Sequence, residues 1–258
     1  MGHDVGVSIN PSLQLVGALL LLLVLASAAS RVGRLGFVPA MLRAGARAVL
    51  QLVAVSFIVV AAISHLWSSG LFVLAMFGVA VYTTARRVGS TGSWQWTALA
   101  IAAGVLPVLL IVFLTGTAPL NGYALLPIGS IIVGNMMTVH TLGGRRAFPE
   151  LRAGIPSYEA ALALGLQRRE AIRLVLEPSS GEALVPSIDS TRTVGVVTLP
   201  GAFIGVLLGG GTPLQAGASQ MLVLFGILAG QAVTLVTMNA LIERALLLPS
   251  DLKARLRP

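Results

Sequence analysis

The segment Val88–Gly144 reads VGSTGSWQWTALAIAAGVLPVLLIVFLTGTAPLNGYALLPIGSIIVGNMMTVHTLGG and contains no Asp, Glu, Lys or Arg. A helix on the surface of a water-soluble protein needs a polar face. An uncharged run of this length therefore cannot coat a globule in water, whereas two helices of about 20 residues each can cross a bilayer. The turn-forming cluster Thr115–Gly122 (TGTAPLNG) divides the run into two such helices,.

The rest of the chain repeats this pattern. Three further runs lack charged residues: Val5–Ser30, Ala48–Ala85 and Thr193–Ile242. Clusters at Ile63–Gly70 and Leu208–Pro213 divide the two longer ones,. The sequence therefore predicts an all-α, polytopic membrane helix bundle in one domain, residues 1–258. Its seven transmembrane spans are predicted at about 11–30, 46–64, 70–86, 94–114, 122–142, 193–210 and 217–242.

Basic residues indicate the orientation of this bundle. All 17 Lys and Arg residues fall in loops on one side of it, which predicts an external amino terminus and a cytoplasmic carboxyl terminus. The net charge of +8 is then a topology signal, with some contact to anionic membrane lipid, and not a sign of nucleic-acid binding. The absence of cysteine excludes disulfides, thiolate metal sites and cysteine nucleophiles.

Residues 143–192 form the one large loop, which this topology places in the cytoplasm. Ser157 is a candidate N-cap, with Glu159 favourably placed in the first helical turn. Gly165 interrupts this first short helix, and a second one runs from Gln167 until Pro178 ends it. The polar face of the second helix contains Glu170, Arg173 and Glu177, and the apolar face contains Ile172, Val175 and Leu176,.

The spacing in this loop resembles the cytoplasmic coupling loop of ABC-transporter permeases. That pattern is Glu-Ala-Ala, three residues, Gly, nine residues and an apolar-x-Leu-Pro ending. It is matched here by Glu159-Ala160-Ala161, Gly165 and Val175–Pro178, with Glu177 in place of Leu. The resemblance implies a joint that fits a groove on an ATP-hydrolysing subunit, formed by Glu159, Ala160, Ala161 and Gly165, with Pro178 at the end of the motif. By their charge alone, Arg168 and Arg169 are candidate rim contacts of the same joint. The alternative is a loop helix that only covers the inner end of the bundle.

A second resemblance covers nearly the whole chain. The motifs GNMMTVHTLGG (134–144), EAALALGLQRREAIR (159–173) and PSIDSTRTVGVVTLPGAFIGVLLGGGTPLQAGASQ (186–220) are similar to the FetB-type family of ABC permeases. Bacterial members are implicated in iron export and plant relatives in aluminium tolerance. The resemblance implies a homodimeric permease subunit in a bacterial plasma membrane, paired with separate ATPase subunits.

The sequence also excludes some activities for this chain itself. A P-loop needs Gly-Lys-Ser/Thr, and the only lysine is Lys253, in Leu252-Lys253-Ala254. We therefore expect no cofactor on this chain, with ATP and Mg on the partner ATPase. An intramembrane metalloprotease is disfavoured because none of the histidines begins an HExxH motif,.

The span near residues 122–142 carries candidate translocation residues: Asn135, Met136, Met137 and His140. They are candidates for a transport surface or a soft metal contact, and the alternative is helix packing. No Asp or Glu lies within a predicted span, which disfavours an ion-coupled secondary transporter. The same absence suits a bare iron ion poorly. A chelated metal, a nucleotide sugar or a lipid-like solute stays open as cargo.

The predicted sixth span contains Gly201, Gly205 and Gly209 at four-residue spacing. Small residues at this period let two helices approach closely, so we expect the stripe to face another helix, across a dimer or within the chain. Pro200 removes a backbone hydrogen bond and is expected to kink the span in its middle. The kink is a candidate hinge.

Overall fold

The computed structural model describes residues 12–256, and each regular element in that range is a helix. The described residues divide into two compact units, one that ends at Ala62 and one that begins at Ile63. The first unit contains α1 (Leu13–Val32) and all but the last residue of α2 (Val38–Ile63). Ser12 caps α1 by accepting a hydrogen bond from the Leu15 N–H (3.2 Å),.

The second unit is built around a central helix. It contains α3 (Leu66–Val88), α4 (Trp94–Leu114), the central α5 (Gly122–Ala153) and, later in the chain, α10 (Pro213–Glu243). Helix α5 contacts α3, α4 and α10. Its fully buried side chains, such as Ile132 and Met136, form a core with residues of α3 and α4, because an apolar face is most stable when it packs against another.

The loop predicted over residues 143–192 contains short helices: after α5 the chain forms α6 (Ile155–Ala163), α7 (Arg168–Leu176) and α8 (Val185–Thr193). Helix α9 (Gly201–Leu208) precedes α10, and α11 (Ser250–Arg255) follows it. One buried cluster joins α6 and α7 to the carboxyl-terminal ends of α5 and α10. It includes Phe148, Leu151, Tyr158, Ile172, Leu176, Leu241, Ile242 and Leu252.

Six helices in the described range are long and apolar enough to span a membrane: α1, α2, α3, α4 with its preceding turn, α5 and α10. Several extend beyond the limits predicted from hydrophobicity. Helix α2 begins at Val38, well before residue 46, and α5 continues through Gly144 to Ala153. Hydrophobicity marks the part of a helix suited to lipid, whereas helix propagation needs only backbone hydrogen bonds.

The continuous span predicted over 193–210 is not observed. Helix α8 ends at Thr193, and a compact turn follows in which the Gly195 N–H donates to the Thr198 carbonyl (2.8 Å). Helix α9 has 8 residues and is therefore about 12 Å long, much shorter than a hydrocarbon core of about 30 Å. The carboxyl-terminal ends of α5 and α10 pack in the same buried cluster. The chain must therefore pass from this cluster to the opposite end of α10 before α10 begins, and the broken segment lies on that path.

Pro200 accounts for the break. It is the N-cap of α9 in an extended conformation (φ −70°, ψ 156°), and proline also disfavours a helical conformation in the residue before it. The expected kink in the middle of a span is therefore wrong: Pro200 precedes the helix. Gly201 begins α9, Gly205 lies within it and Gly209 is its C-cap.

Candidate functional site: a coupling knuckle and a buried polar seam

The knuckle, residues 155–176, consists of α6, a short turn and α7. Helix α6 begins one turn earlier than expected, with Gly154 as its N-cap and Pro156 in its first turn. Ser157 therefore lies inside the helix, and its expected role as N-cap is wrong. Proline is favoured in a first turn because its missing N–H has no partner there in any case.

The tip of the knuckle is a turn that depends on glycine. Gly165 has φ +91°, a conformation that residues with a Cβ rarely adopt. The Leu166 N–H donates to the Ala161 carbonyl (3.1 Å) and the Gly165 N–H to the Leu162 carbonyl (2.9 Å), which ends α6 and reverses the chain. The predicted break at Gly165 is confirmed, since α6 ends at Ala163.

The turn exposes an apolar side chain, Leu164, which is 82% exposed at the end of α6. Its exposure was not predicted, because an apolar residue in a helical pattern is ordinarily assigned to a buried face. Glu159 and Ala160 are also exposed, whereas Ala161 faces inward and is buried. The tip therefore presents an apolar side chain, and the exposed side of α6 carries an acidic one.

Helix α7 begins with a capping box. The Gln167 N–H donates to Glu170 Oε2 (2.9 Å), and the Gln167 side chain accepts from the backbone in return,. Ile172, Val175 and Leu176 are buried as predicted, and α7 ends at Leu176, just before Pro178. Pro178 itself is exposed.

Polar contacts also connect the knuckle region to α10. Arg169 Nε is 3.4 Å from Glu243 Oε2, and Asn239 Nδ2 donates to the Ser180 carbonyl (3.3 Å). These contacts add to the shared apolar cluster beneath α7. Since packed side chains transmit displacement, a force on the tip acts on the ends of α5 and α10.

Arg168, the first residue of α7, is half-buried and its Nε has no hydrogen-bond partner in the described part of the chain. Arg169 is exposed apart from its contact with Glu243. Of the predicted coupling residues, Ala161 is buried and packs in the apolar cluster under the knuckle. The others reach the surface at least in part: Glu159, Ala160, Gly165, Arg168, Arg169 and Pro178.

The candidate translocation residues of α5 separate into two environments. Met136 and His140 are fully buried (0% exposed), whereas Asn135 and Met137 are partly exposed. Asn135 Nδ2 donates to the Ile131 carbonyl of its own helix (2.9 Å). Both ring nitrogens of His140 are buried without a partner among residues 12–256.

Met136 fills the crossing between α4 and α10. A Cβ on Gly230 would lie 2.9 Å from the Met136 sulfur, and one on Gly104 would lie 3.0 Å from it and 2.0 Å from Thr234 Oγ1. The two glycines therefore permit a close approach that any larger side chain would block. This packing favours the structural interpretation of Met136.

We use the name polar seam for His140 together with three polar residues on the helices that pack beside α5. The seam adds Thr97 of α4 and Gln231 and Thr234 of α10, each with a buried oxygen that has no partner within the described residues. Gln231 Nε2 does donate, at 3.4 Å, to the Asn135 carbonyl. Unsatisfied polar groups are costly in a membrane interior and commonly mark functional positions. In the sequence, Gln231 is a polar residue within the apolar run of α10, and it could have indicated the polar seam.

The model of one protein family, described as the uncharacterised protein family UPF0014, matches residues 13–247. The chain belongs to the UPF0014 family. The match covers both the knuckle and the polar seam. No solved structure matches this UPF0014 chain.

Named relatives of the UPF0014 chain come from plants and bacteria. The protein ALUMINUM SENSITIVE 3 of Arabidopsis thaliana is 31% identical over 195 residues, which cover 74% of this chain and 71% of that protein. The UPF0014 membrane protein STAR2 of Oryza sativa is 30% identical over 213 residues, with coverage of 81% and 75%. The probable iron export permease protein FetB of Escherichia coli is 27% identical over 229 residues, with 85% coverage of each chain.

These matches confirm the family resemblance drawn from the three sequence motifs. With its six apolar helices, the UPF0014 chain is a multi-pass protein of the bacterial plasma membrane and belongs to a family that contains membrane permeases.

Proposed function

We propose that this UPF0014 chain is the permease subunit of an ATP-driven ABC transporter, powered by a separate cytoplasmic ATPase subunit. The knuckle carries this proposal. Its tip exposes Leu164 on a glycine turn, and its base is continuous with the core formed by the ends of α5 and α10. A single exposed leucine is ordinary on a protein surface, so the proposal rests on its place at a turn that matches the coupling-loop pattern, with Glu159-Ala160-Ala161 followed by Gly165.

The proposed mechanism is displacement of a rigid element. Closure of the ATPase around ATP and Mg moves its groove, and the tip moves with it. Because Ile172 and Leu176 pack in one cluster with Leu241 and Ile242, the displacement reaches α10. ATP binding and hydrolysis then bias the bundle between inward-open and outward-open states.

A homodimer belongs to this proposal, and the broken segment supports it. Val196 and Val197 lie in non-helical backbone and are 89% and 74% exposed. Irregular backbone is not stable against lipid and needs protein or water beside it. Gly201 and Gly205 next to this segment have open space around their α-carbons, which permits a second copy to approach closely.

The proposed cargo is iron or a related metal, moved outward, by similarity to FetB, whose name describes a probable iron export permease. The polar seam offers hydroxyl, amide and imidazole groups, and α10 has a carboxylate only at its last residue, Glu243. These neutral groups suit a metal that retains its own ligands better than a bare ion. A nucleotide sugar or a lipid-like solute is the alternative cargo.

The test is a pair of matched substitutions on the knuckle side of the chain. Gly165→Arg strains a left-handed turn at the tip, whereas Gly181→Arg adds the same side chain at φ −98° with open space around it. In vesicles that contain the permease and its ATPase, Gly165→Arg should abolish ATP-dependent iron efflux and Gly181→Arg should retain it. Equal efflux from the two variants, at equal membrane insertion, would count against the proposal.

A further inference from the structure

An open cavity of about 430 Å³ lies beside the base of the knuckle, within the volume range of small-molecule sites. Its walls come from the start of α7, from the residues after α10 and from α11. The lining residues are Arg168, Ala245, Ser250, Lys253 and Ala254. Arg168 is also a predicted ATPase-coupling residue, but the other lining residues have no role in the proposed coupling or transport.

The lining is cationic. Arg168 and Lys253 bring two positive charges to the cavity, and no carboxylate lines it. Nearby acids are engaged elsewhere: Asp251 accepts from Arg152 Nε at 2.7 Å, and Glu170 caps α7. Within the described range, neither lining cation forms a salt bridge.

Arg168 also carries an unsatisfied donor. Its Nε is buried and has no hydrogen-bond partner within residues 12–256. A buried charged donor without an acceptor is costly. The guanidinium fork matches two oxygens of one phosphate or carboxylate group. Because Nε itself is buried, a phosphate in the cavity would meet the other guanidinium nitrogens of Arg168, and it would neutralise both cations.

We propose that this cavity binds a phosphate group. The Arg168 guanidinium donates to two phosphate oxygens, the Lys253 ammonium contributes a compact charge, and the Ser250 hydroxyl, at the start of α11, donates a further hydrogen bond. The phosphate has two possible sources, a free phosphate anion or the headgroup of an anionic phospholipid. Arg168 is shared with the predicted coupling surface, and binding of phosphate to the chain without an ATPase separates the two roles.

A bound phosphate would connect the knuckle to the carboxyl-terminal helix, because Arg168 begins α7 and Lys253 lies on α11. The apolar side of α11 is already fixed, since Leu252 and Leu256 are fully buried. The phosphate would add a polar connection on the solvent side. Occupancy would therefore stabilise the base of the knuckle.

The test uses the purified full chain without an ATPase. Binding of radiolabelled inorganic phosphate is measured in detergent, and retention of phosphatidic acid against phosphatidylcholine is measured by native mass spectrometry from nanodiscs. Arg168→Lys and Lys253→Gln should each weaken one of these ligands about tenfold or more. Arg173→Gln on α7 and Arg255→Gln on α11 are matched controls outside this cavity, and thermal unfolding verifies that all variants fold.

The outcomes separate the two sources. Loss of inorganic phosphate binding in the Arg168 and Lys253 variants alone supports a free-anion site, and selective loss of phosphatidic acid supports a headgroup site. Absence of binding of both ligands to the native chain would overturn the proposal. Equal weakening in the control variants would overturn it too, because the effect would then reflect general surface charge.

Discussion

Replacement of Gly104 by alanine should separate two membrane helices. A Cβ at this position would lie 2.4 Å from the Gly230 carbonyl oxygen and 2.0 Å from Thr234 Oγ1. Ordinary contacts of this kind lie near 3.5 Å, so α4 and α10 must move apart by about 1 Å. The Thr234 hydroxyl can rotate away, but the Gly230 carbonyl is fixed in the α10 backbone.

The expected cost follows from this overlap. Added methyl groups in a well-packed core typically destabilise by about 1–3 kcal/mol, which for a chain of this size lowers the Tm by roughly 2–12 °C. Thermal unfolding of the purified chain, followed by tryptophan fluorescence, measures the change. The same substitution at Gly134 of α5 is the control, since a Cβ there meets nothing within 4 Å.

Gly134→Ala should be neutral or slightly stabilising, because alanine has the higher helix propensity, by about 1 kcal/mol. The reasoning fails if Gly104→Ala unfolds at the same temperature as Gly134→Ala. In that case the crossing of α4 and α10 would not be as tight as the structure has it, and the packing role of Met136 would lose its basis.

Three further predictions concern the tip, the seam and the carboxyl-terminal ion pair. Leu164→Asp should reduce stimulation of the partner ATPase at least tenfold. Leu174→Asp, at an exposed position on α7 away from the tip, should retain the stimulation. Equal loss from both variants would contradict a role of the tip. His140→Leu should raise the Tm, because it removes two buried nitrogens that have no partner among the described residues,. If the polar seam serves transport, the same variant should reduce efflux. A lower Tm would instead reveal a partner for the ring. The Arg152 guanidinium, by its hydrogen bonds, holds the pKa of Asp251 below its usual range. The pair therefore stabilises the fold at neutral pH and loses this effect as the pH falls through that lowered pKa, so Asp251→Asn should unfold with a weaker acid dependence, and an unchanged dependence would count against the pair.

Features with local signals were predictable from the sequence. Gly165 and Pro178 end helices through their own backbone properties, and both helix boundaries are confirmed by the structure. The burial of Ile172 and Val175 also followed from helical periodicity. Local chemistry fixed these features, so one sequence was sufficient.

Features that depend on neighbouring helices were not predictable. The run 193–210 has the composition of a span, yet the structure breaks it before Pro200. Composition cannot distinguish a continuous helix from a broken one when both are apolar. Leu164 was missed because exposure depends on how α6 packs, and Gln231 and Thr234 were missed because the seam forms only where α10 meets α4 and α5.

The central claim is that a separate ATPase engages the tip of the knuckle. The native chain has no cysteine, so Leu164→Cys provides a single thiol there for a cysteine-reactive photocrosslinker, with Leu174→Cys as the matched position. The measurement is the yield of crosslinked ATPase in membranes that contain both subunits. We predict a permease–ATPase adduct from residue 164 whose yield changes on addition of ATP and Mg. Equal yields from residues 164 and 174, or none from residue 164, would contradict the claim.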